Sequence, residues 1–279
     1  MTDQELRTYA FISIISFVIL WEFIANKRPL KQRKFKRWLN NFGLIAVDTV
    51  VVKLLLPAGA FGVALWAENN GYGLLNNIDI SPLAATVVTV IILDMIIYWQ
   101  HRLFHVVPMF WRLHQVHHAD RDIDVSTGLR FHPIEIILSM LIKFVAVITL
   151  GAPAAAVVLF EVILNGMAMF NHGNIRMPKA LDSLIRLLFV TPDMHRVHHS
   201  IFKHETNSNY GFNLSIWDKI FGSYHAQPDL GHDKMTIGLQ QYQGNTPTSS
   251  LLWMLKLPFT QSGGMYAQKD KPTTKETAL

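Results

Sequence analysis

The sequence predicts an all-α fold, an integral membrane bundle of helices with a helical cap on its cytoplasmic side that carries clustered histidines. Three observations predict it. Half of the 279 residues are hydrophobic and 16% are charged, whereas soluble chains carry about a quarter charged. The apolar residues come in blocks long enough to enter a bilayer. Eight of the thirteen histidines fall into three tight clusters at or beyond the ends of those blocks.

The blocks come first. Tyr9 to Ala25 is almost wholly apolar and gives a span at the short end of what a hydrocarbon core needs. A signal peptide is the rival reading, but its positive charge would precede the apolar run; here the basic stretch KRPLKQRKFKR follows it. A second span is expected from Phe42 to Trp66 and a third from Pro82 to Gln100. A shorter pair, Ile134 to Leu150 and Ala154 to Asn171, is joined by a Gly151-Ala152-Pro153 turn. At 1.5 Å per residue each of that pair reaches about 25 Å, which suits a hairpin dipping into the bilayer. Asp48, Lys53 and Lys143 lie inside these segments, where a charge must face the interior, pair or snorkel.

Charge placement then orients the bundle. The net charge is +5, but seven of the 25 basic residues lie between Lys27 and Arg37, directly after the first span. That points to a membrane surface, not to nucleic acid, and places this stretch in the cytoplasm. The next connection, Glu68 to Ser81, has no Lys or Arg and is expected outside. All three histidine clusters and the C-terminus then share the cytoplasmic side of an inner, plasma or ER-type membrane.

No polar linker divides the chain. Its regions are an N-terminal transmembrane part (1–90), a histidine-rich domain (91–226) and a cytoplasmic C-terminal tail (227–279). LLWMLKLPF at 251–259 is too short to span and is expected to rest on the membrane surface or on the domain, and QKDKPTTKETAL at the end reads as disordered. The absence of cysteine excludes disulfides, thiolate zinc sites and iron–sulfur clusters held by this chain.

The histidine clusters are HRLFH at 101–105, HQVHH at 114–118 and HRVHH at 195–199. Residues three and four apart share a helix face. His101 and His105, then His114, His117 and His118, then His195, His198 and His199 can therefore each converge on a point. Neutral imidazole is a common ligand for iron, zinc and copper. One such pair is a weak signal; two copies of H-x-x-H-H with one H-x-x-x-H are not, and eight imidazoles exceed the needs of one ion. His172, at the end of the fifth apolar block, is a further candidate. His132 is another, either as a ligand or as a group hydrogen-bonded to one. Asp94, on the helix leading to His101, and Asp193, two residues before His195, are candidates to hold the far nitrogen of a ligating imidazole.

Taken together, LDMIIYWQHRLFH, WRLHQVHH, RFHPIE, TPDMHRVHHS and NSNYGFNLSIWDKIFGSY resemble the fatty acid hydroxylase and sterol desaturase superfamily of membrane di-metal oxygenases, from Leu93 to Tyr224. The resemblance implies ligand roles for the eight clustered histidines and for His172. Some members carry a further H-x-x-x-H in that interval; here position 176 is Arg, so that ligand is missing or replaced. It implies two iron ions, with zinc as a possible substitute, and dioxygen as co-substrate. It implies a lipid substrate drawn from the bilayer and a separate electron donor, whether ferredoxin, cytochrome or reductase.

Chemistry favours iron in that setting, because an unactivated C–H bond needs a metal that changes oxidation state and zinc does not. The expected activity is hydroxylation of a lipid C–H bond, with desaturation at the same site as the alternative. A membrane zinc hydrolase is a rival of another class, but HETNS at 204–208 has only the start of HExxH. A metal transporter or sensor would place its ligands nearer the bilayer midplane. His204, His225 and His232 lack the cluster spacing and are expected to be ordinary.

Overall fold

The computed structural model describes residues 2–260. Among them there are thirteen α-helices and no strand, only three isolated backbone bridges. The long ones are α1 (Asp3–Ile24), α2 (Lys34–Leu55), α4 (Pro82–Val106), α6 (Pro133–Leu150) and α7 (Ala154–His172), with α3 (Gly59–Asn69) and α5 (Pro108–His118) between them. The cap adds α8 (Lys179–Ile185), α9 (Pro192–His198), α10 (Lys203–Thr206), α11 (Ile216–Ile220), α12 (Gly231–Lys234) and α13 (Leu251–Lys256). Five segments are long and apolar enough to cross a membrane: α1, the stretch Lys34–Asn77 that contains α2 and α3, α4, α6 and α7. The chain is an integral membrane protein.

The expected span from Phe42 to Trp66 is not one helix. α2 stops at Leu55, and Leu56 leaves helical geometry at φ −133°, ψ 57°. The cause is Pro57, which disfavours helical backbone in the residue before it and has no amide hydrogen to give. The chain restarts as α3 at Gly59, whose φ is +58°, and α3 packs on α6 and α7. The tight turn after α6 is held by Gly151 in left-handed geometry. Gly73 packs so closely there that a Cβ on it would stand 2.1 Å from the Gly151 nitrogen, so neither position has room for a side chain.

α7 is the centre of the bundle. It touches α1, α3, α4, α9 and the 3-10 turn Val125–Leu129, and more of it is buried than of any other candidate span. The outward faces of the other spans stay apolar and exposed, as at Phe17, Leu54 and Leu83, which is the surface that a bilayer covers. Lys143 pairs inside the bundle with Glu161 at 2.8 Å, and Arg7 pairs with the same carboxylate. Asp48 is buried and Lys53 exposed.

The basic stretch is only partly a surface feature. Arg37 is fully buried, bonding Asp120 at 2.9 Å, Asp124 at 2.6 Å and Thr127 at 3.0 Å. Lys27 pairs with Asp193 at 2.9 Å, and Arg28 donates to the Met235 carbonyl at 2.6 Å. Lys31, Arg33, Lys34 and Lys36 remain exposed. LLWMLKLPF rests on the protein body: Met254 and Leu257 bury against Leu44, Trp111 and Val116 with Leu239 and Tyr242. QKDKPTTKETAL lies outside the described residues.

Candidate metal centre

Proline sets the first two histidine helices against each other. Pro108 ends α4 by forcing Val107 into an extended conformation and then opens α5 at its first turn. α5 folds back along α4, so that the His101 and His114 rings come to 4.9 Å and the His105 and His118 rings to 4.7 Å, centre to centre. α9 is started by Thr191, whose hydroxyl accepts from the Met194 amide, and by Pro192. It is two turns long and delivers His195, His198 and His199. His172 closes the set from the last position of α7.

The nine imidazoles form two adjoining groups. His101, His105, His114, His118 and His198 make one; His117, His172, His195 and His199 make the other. Within each group one nitrogen per ring lies within 4.8 Å of all the others. The groups meet where the His118 and His199 rings stack at 4.6 Å. All nine side chains are buried, none more than 4% exposed.

The far nitrogens define which atoms point inward. His101 Nδ1 donates to the Tyr210 carbonyl at 2.8 Å, His198 Nδ1 to the Ser208 carbonyl at 2.7 Å and His172 Nδ1 to the Ala168 carbonyl at 2.7 Å. A carbonyl only accepts, so each of these rings keeps its proton on Nδ1 and turns an Nε2 lone pair inward. His114 Nδ1 lies 2.6 Å from the Glu135 carboxylate, which fixes it in the same way. Inside, His101 and His114 Nε2 stand 3.1 Å apart, and His172 Nε2 stands 3.0 Å from Nε2 of both His117 and His195. His118 and His198 Nε2 are buried with no protein partner.

These residues fit metal ions. Buried lone pairs facing one another are unfavourable unless a cation lies among them. Two ligands at right angles, each about 2.1 Å from a metal, are about 3.0 Å apart, as these nitrogens are. Burial holds the imidazoles neutral, the form that ligates. It pushes His114 down to about 3, and burial followed by neighbouring histidines pushes His117, His118, His195, His198 and His199 well below the ordinary value.

Three expected residues stand elsewhere. His132 caps α6: its Nδ1 accepts from the Ile134 amide and its Nε2 faces the Leu255 carbonyl at 3.3 Å. It takes this role because Pro133 begins the helix and the orphan amide behind it needs an acceptor. Asp94 does not bond an imidazole; its carboxylate accepts from Trp217 Nε1 at 2.8 Å and the Leu214 amide at 3.1 Å, tying α4 to α11. Asp193 faces away from the centre, toward Lys27, Arg196 and His232. Burial opposes its charge, but Arg196 and His232 hold its carboxyl down to about 2. Arg176 is exposed and brings nothing to the site.

The acid that does hold a histidine is Glu135, three residues after His132 on the first turn of α6. Its signal was present in RFHPIE but is no different from that of an acid in any helical first turn. The stretch NSNYGF supplies the carbonyls of Ser208 and Tyr210, with Asn209 at φ +50° between them. Asn209 is pinned by its side-chain bonds to the Met194 and His225 carbonyls at 2.9 and 2.8 Å. Asp218 receives the Tyr210 and Gly211 amides at 2.7 and 2.9 Å. Phe221 packs over Tyr98 and Trp99, with Trp217 stacked beside it.

A cavity of about 490 Å³ opens on the first group at His101 and His114. Near the histidines its wall is Phe104, Phe131, Leu129 and Phe212, and it continues into the bundle past Ile97 and Leu164 to Arg7, Lys143 and Glu161. Asp48, Lys53, Gln100 and Asn165 also line it, so the passage is mainly but not wholly apolar, as suits a ligand with an aliphatic part.

The sequence profile of the family described as fatty acid hydroxylase matches residues 86–223. The chain is 34% identical over 184 residues to an ornithine lipid hydroxylase of Rhizobium tropici, covering 65% of this chain and 53% of that protein. It is 31% identical over 147 residues to human alkylglycerol monooxygenase, covering 51% of this chain and 30% of that protein. To human lathosterol oxidase it is 25% identical over 223 residues, covering 77% and 70%. The matched stretch is thus about half of the first relative and under a third of the second. No solved structure is similar. The nine histidines and the NYGF stretch that braces them all lie inside the matched residues, and that region of the chain matches the fatty acid hydroxylase family.

Proposed function

We propose that this protein is a membrane-bound, oxygen-dependent oxidoreductase that hydroxylates a C–H bond of a lipid at a pair of iron ions. The observation that supports it is the division of nine buried, neutral imidazoles into adjoining groups of five and four, with one group open to a mainly apolar cavity. The relatives' names, an ornithine lipid hydroxylase, an alkylglycerol monooxygenase and a lathosterol oxidase, favour the same class. The substrate is a chain-bearing membrane lipid.

Two bound iron ions would supply the dioxygen activation that an inert C–H bond requires. His101, His105, His114, His118 and His198 would hold one, and His117, His172, His195 and His199 the other. The rest falls to the protein. Glu135 and the carbonyls of Ser208, Tyr210 and Ala168 keep four rings in one tautomer and one orientation. Phe104, Phe131 and Phe212 exclude water and hold an aliphatic chain beside His101 and His114. A cytoplasmic position for the centre, where a separate ferredoxin, cytochrome or reductase delivers electrons, is supported by the exposed basic residues Lys31, Arg33, Lys34 and Lys36.

Lipid extracts from cells with and without the gene, compared by mass spectrometry, test the reading. A lipid that gains one oxygen supports hydroxylation, and one that loses two hydrogens replaces it with desaturation. Zinc-only protein with full activity would overturn the redox reading altogether.

A further inference from the structure

Four residues outside the histidine centre come together in the cap: His204 and Glu205 on α10, and His225 and Asp229 on the loop that follows α11. One ligand atom of each lies within 4.8 Å of the other three. His204 Nε2 is 2.9 Å from one Asp229 oxygen, and His225 Nε2 is 4.0 Å from the other. Glu205 is fully buried. Its Oε1 accepts from the Asp229 amide, while its Oε2 is enclosed with no hydrogen-bond partner. A carboxylate oxygen buried without a donor is strongly unfavourable unless a cation or proton meets it.

We propose that these four residues form a third metal site, separate from the paired centre, that takes a zinc ion. Two imidazoles and two carboxylates are a donor set that zinc accepts, and four protein ligands make a closed, structural site. The two carboxylates also balance the charge of a divalent ion, which leaves no net charge buried. Closing the set requires the ligand atoms to draw in to the roughly 3–4 Å separations of metal-bound donors. His225 and Asp229, both partly exposed on a loop, are free to make that movement.

Its role follows from what the loop touches. The His225 amide donates to Asn209 Oδ1 at 2.8 Å, and Asn209 Nδ2 donates back to the His225 carbonyl at 2.8 Å. On either side of Asn209, the Ser208 and Tyr210 carbonyls hold His198 and His101. α10 in turn packs on α9, which carries His195 and His198. An ion bridging α10 and the loop would clamp this segment from behind, and so position two histidines of the centre without touching them.

Purified full-length protein, in neutral detergent and equilibrated with micromolar zinc, is analysed by mass spectrometry for total zinc and iron. The expected result is one more equivalent of zinc in the parent than in His225→Ala or Asp229→Asn, with iron content in the variants equal to or below the parent's and never above it. After brief chelation, micromolar zinc should raise the parent's melting temperature by a few degrees and leave both variants unmoved. Both altered side chains are partly exposed, so the variants should fold; if one does not, the other decides. Equal zinc in parent and variants, or an extra equivalent that the parent takes up only at millimolar zinc, overturns the proposal.

Discussion

The Glu135 carboxylate lies 2.6 Å from Nδ1 of His114, across the junction of α6 and α5. It is the one acid among the described residues bonded to a histidine of the centre, and it lines the cavity. Glu135→Ala should therefore weaken metal affinity by roughly 10- to 100-fold, and Glu135→Gln by less, since an amide oxygen still accepts. Metal competition against a chromophoric chelator measures both. Equal affinity in Glu135→Ala and parent would remove Glu135 from this role.

The five-and-four division of the imidazoles makes the two ions separately removable. His105→Ala should lower the occupancy of one site and His195→Ala that of the other, each leaving about one iron per chain. Mössbauer spectra of the two variants should retain different components. If both variants lose both ions in equal measure, the centre is one coupled unit.

Gly128 lies where a Cβ would stand 2.7 Å from the Ala168 carbonyl and 3.2 Å from His172 Nδ1. That carbonyl is the acceptor that orients His172. Gly128→Ala should cost about 1–3 kcal/mol by overpacking and should also reduce the metal held by the second group. Thermal unfolding and metal content, read together, check it; a loss of stability with full metal content would leave the orienting role unsupported.

Arg37 is enclosed by Asp120 and Asp124, while Lys36 beside it is exposed. Arg37→Met should destabilise by about 3–5 kcal/mol, because it leaves the buried Asp124 without a cation and Asp120 with only Arg130 at 3.9 Å. Lys36→Met should stay within about 0.5 kcal/mol. Denaturation of both variants in one detergent gives the comparison.

His232 is held down to about 3 by burial, with Arg196 and Lys27 adding to it against the pull of Asp193. In the unfolded chain its value is about 6.5. Between those values the unfolded state binds a proton that the folded state refuses, so the penalty is absent above about pH 6.5 and grows as pH falls toward 3. His232→Gln has no such proton to bind. Its stability relative to the parent should therefore improve between pH 7 and pH 5, and a constant difference across that range would contradict the assignment.

The spans of α1, α4, α6 and α7 were legible from apolar blocks because a bilayer demands a long apolar run, and that is a local property of the chain. The break at Pro57 was legible in principle; the apolar pattern ran straight through it, and hydropathy does not register a missing amide. The histidine clusters were legible because three- and four-residue spacing on a helix is local geometry. By contrast, His132 and Asp193 have neighbours in sequence that suggest the centre, yet their side chains answer to closer needs, an orphan helix amide in one case and Arg196 with Lys27 in the other.

By itself the sequence determined that this is an all-helical membrane protein with imidazoles gathered at helix ends, since periodicity and hydropathy act within a few residues. Only the tertiary structure decided the division of those imidazoles into two groups, the pairing of Glu135 with His114, and the meeting of His204 and Glu205 with His225 and Asp229. The physical reason is range. A ligand set is completed by side chains brought from different helices, and which of them meet depends on how α4, α5, α7 and α9 pack, which spacing along one helix does not specify.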